Sequence, residues 1–343
     1  MSATLKDIAQ ELNVSINTVS HALRDLPDIS PETTALVKAT AARLGYRKNI
    51  AASYLRTGKT LTLGVIVSDI QNPVFSAIFK GIEKVCATAN YMLILGNTNE
   101  DANAESRILE NMLNHGVDGI FLVPSMKNTE IFSQLEKTQI PHILLQRKPR
   151  EHRSHYVEIS DYEGGYLAAK HLYHLGHRSF LYVSAPMYIS SARERYEGFI
   201  AYLGKKNVSA ESVQVLECEN TRTGSYKAVK KWMEQQQVQA LRPTPTAIFC
   251  FSDYMAFGVY SALEKCGIRI PEDISVVGCD NNEFSDMIIP PLTTVDLQPY
   301  KLGKETAKLM FQILNDDEGQ ELHSVVFSPK LIPRSSTQQI PAE

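Results

Sequence analysis

Val14-Ser15-Ile16-Asn17-Thr18-Val19-Ser20-His21 is the stretch that decides how this chain is read. Ser15 is a helix N-cap residue, and beyond it Val19, Ala22 and Leu23 recur at helical spacing and face inward. Just upstream, Leu5, Ile8, Ala9 and Leu12 share one face of an earlier helix over Leu5 to Leu12. Two helices this close need a small residue where they approach and a turn that tolerates left-handed backbone, and Ala9 and Asn13 supply these. Ser30-Pro31-Glu32 opens a third helix with a cap, a first-turn proline and an early acid, and Gly45 ends it. Three short helices around one core, the second with an exposed polar N-terminal face, form a helix-turn-helix. Ile16, Asn17 and His21 project from that face. Asparagine bonds adenine in two places, histidine donates to guanine or a phosphate, and isoleucine presses on a thymine methyl, so double-stranded DNA is the expected partner.

Working outward, the rest of the chain changes character at Leu61. Apolar runs of four to seven residues, Leu61 to Val67, Met92 to Leu95, Ile120 to Val123, His142 to Leu145, Phe180 to Val183, Ala247 to Phe251 and Ser275 to Gly278, alternate with helix-length stretches. That alternation predicts an α/β fold of parallel sheets covered by helices. The number of units in about 280 residues suits two doubly wound lobes. At 343 residues with 43% hydrophobic and 21% charged residues, the chain reads as globular and multidomain. Its net charge of −3 divides unevenly: residues 1–60 carry eight Lys/Arg against five Asp/Glu, leaving a basic head on an acidic body. The five cysteines, Cys86, Cys218, Cys250, Cys266 and Cys279, form no CxxC pair and read as reduced core thiols. With no long apolar run and no basic-then-apolar leader, the expected location is the bacterial cytoplasm, with no membrane partner.

The head, from Leu5-Lys-Asp-Ile-Ala through Val14-Ser15-x-x-Thr18-Val19-Ser20 to Leu44-Gly45-Tyr46, resembles the lactose/galactose repressor family, and the resemblance runs along almost the whole chain. It implies a periplasmic-binding-protein-like effector domain behind the head. It also implies that Ile16, Asn17 and His21 meet base edges, while Ser15, Thr18, Ser20 and Tyr46 lie near phosphates. Asn49-Ile-Ala-Ala-Ser-Tyr-Leu55 matches the family's hinge, in which Leu55 would wedge into the minor groove and Asn49 would lie at the DNA. Lys48 and Ser53 depart from the family's usual proline and arginine there. The domains expected are therefore a head over 1–46, a hinge over 47–60, an N-terminal lobe of 61–161 plus 293–321, and a C-terminal lobe of 162–292 plus 322–343.

Parallel sheets bind ligands beyond the carboxyl ends of their strands. The polar or aromatic residues just after the apolar runs, Asn72, Phe75, Ser125, Gln146, Ser252, Asp253 and Asp280, are the candidate effector contacts. Arg195 joins them because a planar guanidinium opposite carboxylates clamps hydroxyls or a carboxylate. The resemblance implies the same for Phe75, Arg195 and Asp280, and for the Ser252-Asp253 pair. Gln146 replaces a common aspartate, Ser160-Asp161 stands where Asp-Asn is common, and Asn220 falls about where a purine-binding member has a stacking aromatic. The expected effector is accordingly a sugar or sugar derivative.

An enzyme is not expected. The first strand ends in Ser68-Asp69-Ile70-Gln71-Asn72 in place of a glycine-rich phosphate loop, and no GxSxG elbow occurs. His171-x-x-His174-x-x-His177 spreads its rings around a helix, so neither a metal nor a cofactor is expected. A periplasmic sugar-binding protein would share the two lobes but lack the head. The resemblance implies a homodimer on a near-palindromic operator, and the ending at Pro341-Ala-Glu343, without a leucine repeat, favours a dimer over a tetramer.

Overall fold

The structure, a computed structural model, describes residues 3–46, 58–149, 154–239, 245–315 and 322–340. The chain divides into two compact units, Met1–Thr60 and Leu61–Glu343. In the first, α1 (Leu5–Leu12), α2 (Ile16–Ala22) and α3 (Pro31–Arg43) enclose a core of Ile8, Ala9, Val19, Ala22, Val37 and Ala41. A capping box between Thr4 and Asp7 starts α1, and Asn13, at φ 51°, ends it in the left-handed conformation expected of the turn. Ser15 and Ser30 cap α2 and α3 by accepting from the amides of Thr18 and Thr33 at 3.0 and 3.2 Å. Most of the hinge, with Asn49 and Leu55, lies outside the described residues.

The second unit is the expected α/β architecture. Its first sheet holds β1 (Thr62–Val67), β2 (Met92–Asn97), β3 (Gly119–Leu122), β4 (His142–Leu145) and β5 (His155–Ile159), and its helices α4 (Pro73–Thr88), α5 (Ala102–Asn114) and α6 (Glu130–Thr138) alternate with these strands. The second holds β6 (Phe180–Ser184), β7 (Val213–Glu217), β8 (Ala247–Cys250), β9 (Ser275–Asp280) and β10 (Thr293–Asp296), joined by α7 (Asp161–His174), α8 (Ser190–Lys205), α9 (Arg222–Gln239) and α10 (Asp253–Lys265). The chain then returns through α11 (Pro299–Asn315) to the first sheet as β11 (Ser324–Phe327), and finally to the second as β12 (Lys330–Ile332). The strand orders are β11-β5-β4-β3-β1-β2 and β12-β10-β9-β8-β6-β7. Every pairing is parallel except β10 with β12.

These pairings move two of the expected lobe boundaries. Residues 293–296 were expected in the N-terminal lobe but pair with β9, and 324–327 were expected in the C-terminal lobe but pair with β5. The chain therefore crosses between lobes near Leu297 and again near Ser328. The reason is hydrogen bonding: Thr293 and Thr294 complete the second sheet through backbone pairs with Val277 and Gly278. Every residue of β3, β6, β8 and β9 is buried, whereas the apolar run Met92 to Leu95 forms the edge strand β2 and leaves Met92, Ile94 and Leu95 exposed.

Candidate functional site

In the head, Ile16 and Asn17 are exposed at the start of α2, and Ile16 keeps 47% of its surface open. An uncovered isoleucine at the start of the second helix is free to press on a base methyl, although Leu36 of α3 is also exposed, at 55%. His21 is half-buried and its Nδ1 lies 2.6 Å from Asp28 Oδ2. This contact holds the Asp28 carboxyl below its usual range. It also refines the role expected of His21: with Nδ1 donating to Asp28, the Nε2 atom donates to DNA only when the ring is protonated. Ser15 and Thr18 are tied together by a 2.8 Å hydroxyl contact at the cap. Ser20, expected near a phosphate, is buried, and Tyr46 packs partly against the head core. Among the described residues expected at DNA, Ser20 alone is buried; the others are exposed or partly exposed.

In the second unit the candidate ligand site is built on a close helix pair. Gly165 of α7 and Gly198 of α8 face each other's backbones: a Cβ on Gly165 would run into the Arg195 carbonyl, and one on Gly198 into the Tyr162 carbonyl. Only hydrogen at both positions lets the helices approach this closely, and that approach sets Arg195 against Asp161. Arg195 Nε donates to Asp161 Oδ1 at 2.7 Å, both side chains being about 95% buried. Arg195 also donates to the Phe251 carbonyl, and its guanidinium stacks 4.4 Å from the Phe251 ring centroid. Burial works against the charge on Arg195, yet the Asp161 and Asp280 carboxylates hold its guanidinium above the ordinary value. Burial pushes the Asp161 carboxyl up, and Arg195 opposes this.

Asp280 ends β9 with φ 130°, a backbone conformation that side-chain-bearing residues rarely adopt. Its side chain is buried and its Oδ2 has no hydrogen-bond partner. Burial raises its carboxyl well above the usual range, and Arg195 opposes this. A strained residue holding an orphaned polar atom marks a place where the protein is completed by something else.

The residues around this group enclose a cavity of about 20 Å³, room for about one water. The structure brings Asn72, Phe75, Gln146, Arg195, Asn220, Ser252 and Asp280 to this one cavity. Their placement follows from the strand ends. Asn72 caps α4 by accepting from Val74 N at 3.2 Å, Gln146 turns the chain after β4 with φ 57°, and Ser252 caps α10 by accepting from Met255 N at 3.1 Å. Ser125 and Asp253 do not line it. Ser125 N and Oγ donate to the buried Glu105 carboxylate at 2.8 and 3.1 Å. Asp253, fully buried, accepts from Asn282 N at 3.1 Å and from the Ser285 and Thr294 hydroxyls at 2.5 Å each. Both are structural anchors: a buried polar group needs partners, and the nearest ones lay away from the cavity.

Sequence reasoning missed Ser191 and Phe251 as lining residues and named Asp161 without giving it a contact, while Arg147, beside Gln146 after β4, also lines the cavity. Arg147 is buried and paired with Glu100 at 2.8 Å. The sign available for Asp161 was its position at the start of a helix following a strand. Of the histidine triplet, His171 and His177 meet the Thr337 and Thr246 hydroxyls at 2.9 Å each, and His174 meets the Tyr202 hydroxyl at 3.3 Å.

Residues 4–49 match the family of bacterial regulatory proteins, lacI family, and residues 169–337 match the periplasmic binding protein-like domain. Over 340 residues the chain is 32% identical to the HTH-type transcriptional repressor PurR of Mannheimia succiniciproducens, covering 98% of this chain and 99% of that protein. The chain belongs to the lacI family. It is therefore a helix-turn-helix transcriptional repressor, with a head that binds DNA and a second unit that binds a small-molecule effector. Among solved structures, a LacI family regulator from Enterococcus faecalis V583 with bound ribose is 35% identical, with a TM-score of 0.72 over 82% of this repressor and all of that chain. The lac repressor dimer bound to operator and the anti-inducer ONPF, 24% identical, shares the fold with a TM-score of 0.84 over 98% of this chain and all of its own.

Proposed function

We propose that this repressor reads a near-palindromic operator as a homodimer, and that a carbohydrate held between the two lobes, beside Arg195 and in the adjoining space of about 440 Å³, sets its affinity for that operator. The observation that carries the ligand class is the pairing of fixed polar groups with aromatic walls. Asp280, Arg195, Asn72 and Gln146 line the same space as Phe75 and Phe251. A sugar presents hydroxyls that both donate and accept at its rim and C–H groups on its faces, which suits carboxyl, amide and guanidinium groups set beside aromatic rings. Arg147 and Arg195 already have carboxylate partners, so a phosphate or carboxylate ligand gains little there. The ribose bound by the Enterococcus faecalis relative supports the same class. A purine is the competing class, because the full-length relatives carry the name PurR.

The dimer is supported by apolar surface left open on the second unit. Met92, Ile94 and Leu95 lie exposed on the edge strand β2, and Met287 and Ile289 are 71% and 91% exposed. A row of uncovered apolar side chains beside unpaired strand backbone suits a second copy of the chain. Ligand closure of the two lobes then alters the spacing of the paired heads, and by linkage DNA alters ligand affinity equally. Binding DNA places the repressor's work in the bacterial cytoplasm, and among the described residues no helix is long and apolar enough to cross a membrane.

The test is to select bound sequences from random duplexes, then to titrate sugars and purine bases against the repressor on the selected duplex. A sugar that shifts the DNA-binding curve supports the reading. A response to purines alone replaces the carbohydrate, and selection of no sequence refutes the operator.

A further inference from the structure

One contact in the head constrains the chemistry of a predicted reading residue. His21 lies in the last turn of α2 and Asp28 in the connection to α3, seven positions on, with Nδ1 and Oδ2 2.6 Å apart. Both side chains are open to solvent, by 35% and 54%, so a duplex can reach the pair. The neighbouring charged groups have partners of their own. Arg24, the other cation beside Asp28, donates its Nε to the Ser20 carbonyl at 3.1 Å. Asp25 pairs with Lys38 of α3, and Glu11 of α1 pairs with Arg43.

An ionised carboxylate accepts hydrogen bonds and donates none. The contact with His21 holds the Asp28 carboxyl below its usual range, so at neutral pH it is an acceptor. While the contact lasts, Nδ1 must carry a hydrogen, and the neutral tautomer with its hydrogen on Nε2 is excluded. Nε2 then has two states: a bare acceptor in the neutral ring and a donor in the protonated one. Guanine N7 and O6 and the phosphate oxygens are acceptors, so His21 meets them only after it has gained a proton. The duplex itself favours that proton. Phosphates make the potential at a bound head negative, and an Asp28 carboxylate brought close to them is repelled unless the ring beside it is charged.

We infer, on the reading that the head binds an operator, that Asp28 is a positioning residue that makes operator recognition proton-linked. Each head takes up one proton from solvent at His21 as it binds, and affinity for the operator falls as pH rises. By linkage the fall is at most about tenfold per pH unit for each proton taken up, and two heads in a homodimer take up two. Removing Asp28 releases the tautomer with its hydrogen on Nε2, so the neutral ring donates without gaining a proton. The pH dependence should then disappear although His21 is untouched.

The experiment is fluorescence anisotropy with the full-length chain, a duplex that it selects from a random pool and an unrelated duplex of the same length. Ionic strength is held constant, because phosphate contacts respond to salt. The expected result is that the ratio of the two affinities falls at least about threefold from about pH 7 to about pH 8 in the unaltered chain. It should be nearly level in Asp28→Ala and in Asp28→Asn, whose amide keeps the shape of the side chain but donates as readily as it accepts. His21→Ala should weaken binding to the selected duplex and level the profile. A ratio that is level in the unaltered chain, or that falls equally in both Asp28 variants, overturns the part given to Asp28 and leaves the operator reading intact. A His21→Ala variant with unchanged affinity and profile removes His21 from recognition and overturns the linkage with it. Selection of no sequence overturns the operator reading as well.

Discussion

Replacing Arg195 with alanine tests the centre of the ligand cavity through stability before any ligand is known. The substitution removes the 2.7 Å bond to Asp161, the bond to the Phe251 carbonyl and the stacking on the Phe251 ring. It leaves the Asp161 carboxylate with only 6% of its side-chain surface exposed and no cation beside it. Breaking a buried pair by deleting one partner costs about 3–5 kcal/mol, because the remaining charge stays desolvated. Against a typical total of about 5–15 kcal/mol, that loss moves a urea transition followed by circular dichroism well outside error. Its pH dependence identifies the cause. Burial already pushes the Asp161 carboxyl up, and without Arg195 only the weaker pull of Arg147 opposes the rise. The folded state then binds a proton that the unfolded state has released, so stability falls as pH rises above the unfolded value of about 3.9 and recovers as pH is lowered toward it. The Arg195→Ala deficit should therefore be large at neutral pH and shrink as pH drops toward 4, and adding Asp161→Asn should recover most of it. A deficit below about 1 kcal/mol, or one flat across this pH range, would refute the account of the pair.

Four further outcomes are expected. Gly165→Ala puts a methyl into the Arg195 carbonyl, forcing α7 and α8 apart; a loss of about 1–3 kcal/mol or more and a weakened ligand response are expected, and an unchanged melting temperature would show that the helices have room. Asp253→Ala strands the Asn282 amide and the Ser285 and Thr294 hydroxyls, and should cost at least about 3 kcal/mol in chemical denaturation. Asn17→Ala should cost about 1–3 kcal/mol on the selected operator while leaving binding to unrelated duplex unchanged; a uniform loss across sequences would make Asn17 a backbone contact. Asp28→Ala, on the exposed head surface, should leave stability within about 0.5 kcal/mol yet alter the base preferred opposite His21, and an unaltered preference would mean that the His21–Asp28 contact plays no part in reading.

How much of this was legible in the sequence depended on how local each signal was. The head helices could be read because caps and apolar spacing act within one or two turns: Ser15, Asn13 and Ser30 behave as their chemistry requires. Strands buried on both faces were legible as unbroken apolar runs. His155–Ile159, Val213–Glu217 and Thr293–Asp296 were not, because their polar residues either face outward or, like Thr294, are buried through a partner 41 positions away. Lobe membership is likewise settled by pairings across the chain, and so two boundaries shifted. The candidate site followed the same rule. Residues flanking apolar runs did gather at one cavity, but Asp161 acquires its meaning from Arg195, 34 positions on. Ser125 and Asp253 stand just beyond apolar runs and turn instead to Glu105, Ser285 and Thr294.

The places where the chain passes from one lobe to the other also bear on how the cavity works. Ile159 and Asp161 flank the first passage and Leu297 begins the second, and all three line the cavity. Whatever occupies it touches the pivots themselves. A load applied at a pivot needs only a small displacement there to swing the far ends of both lobes through a larger arc. The fulcrum and the sensor are thus one piece of chain, and resizing a side chain at Leu297 should change the gearing between occupancy and lobe rotation as well as the fit of the occupant.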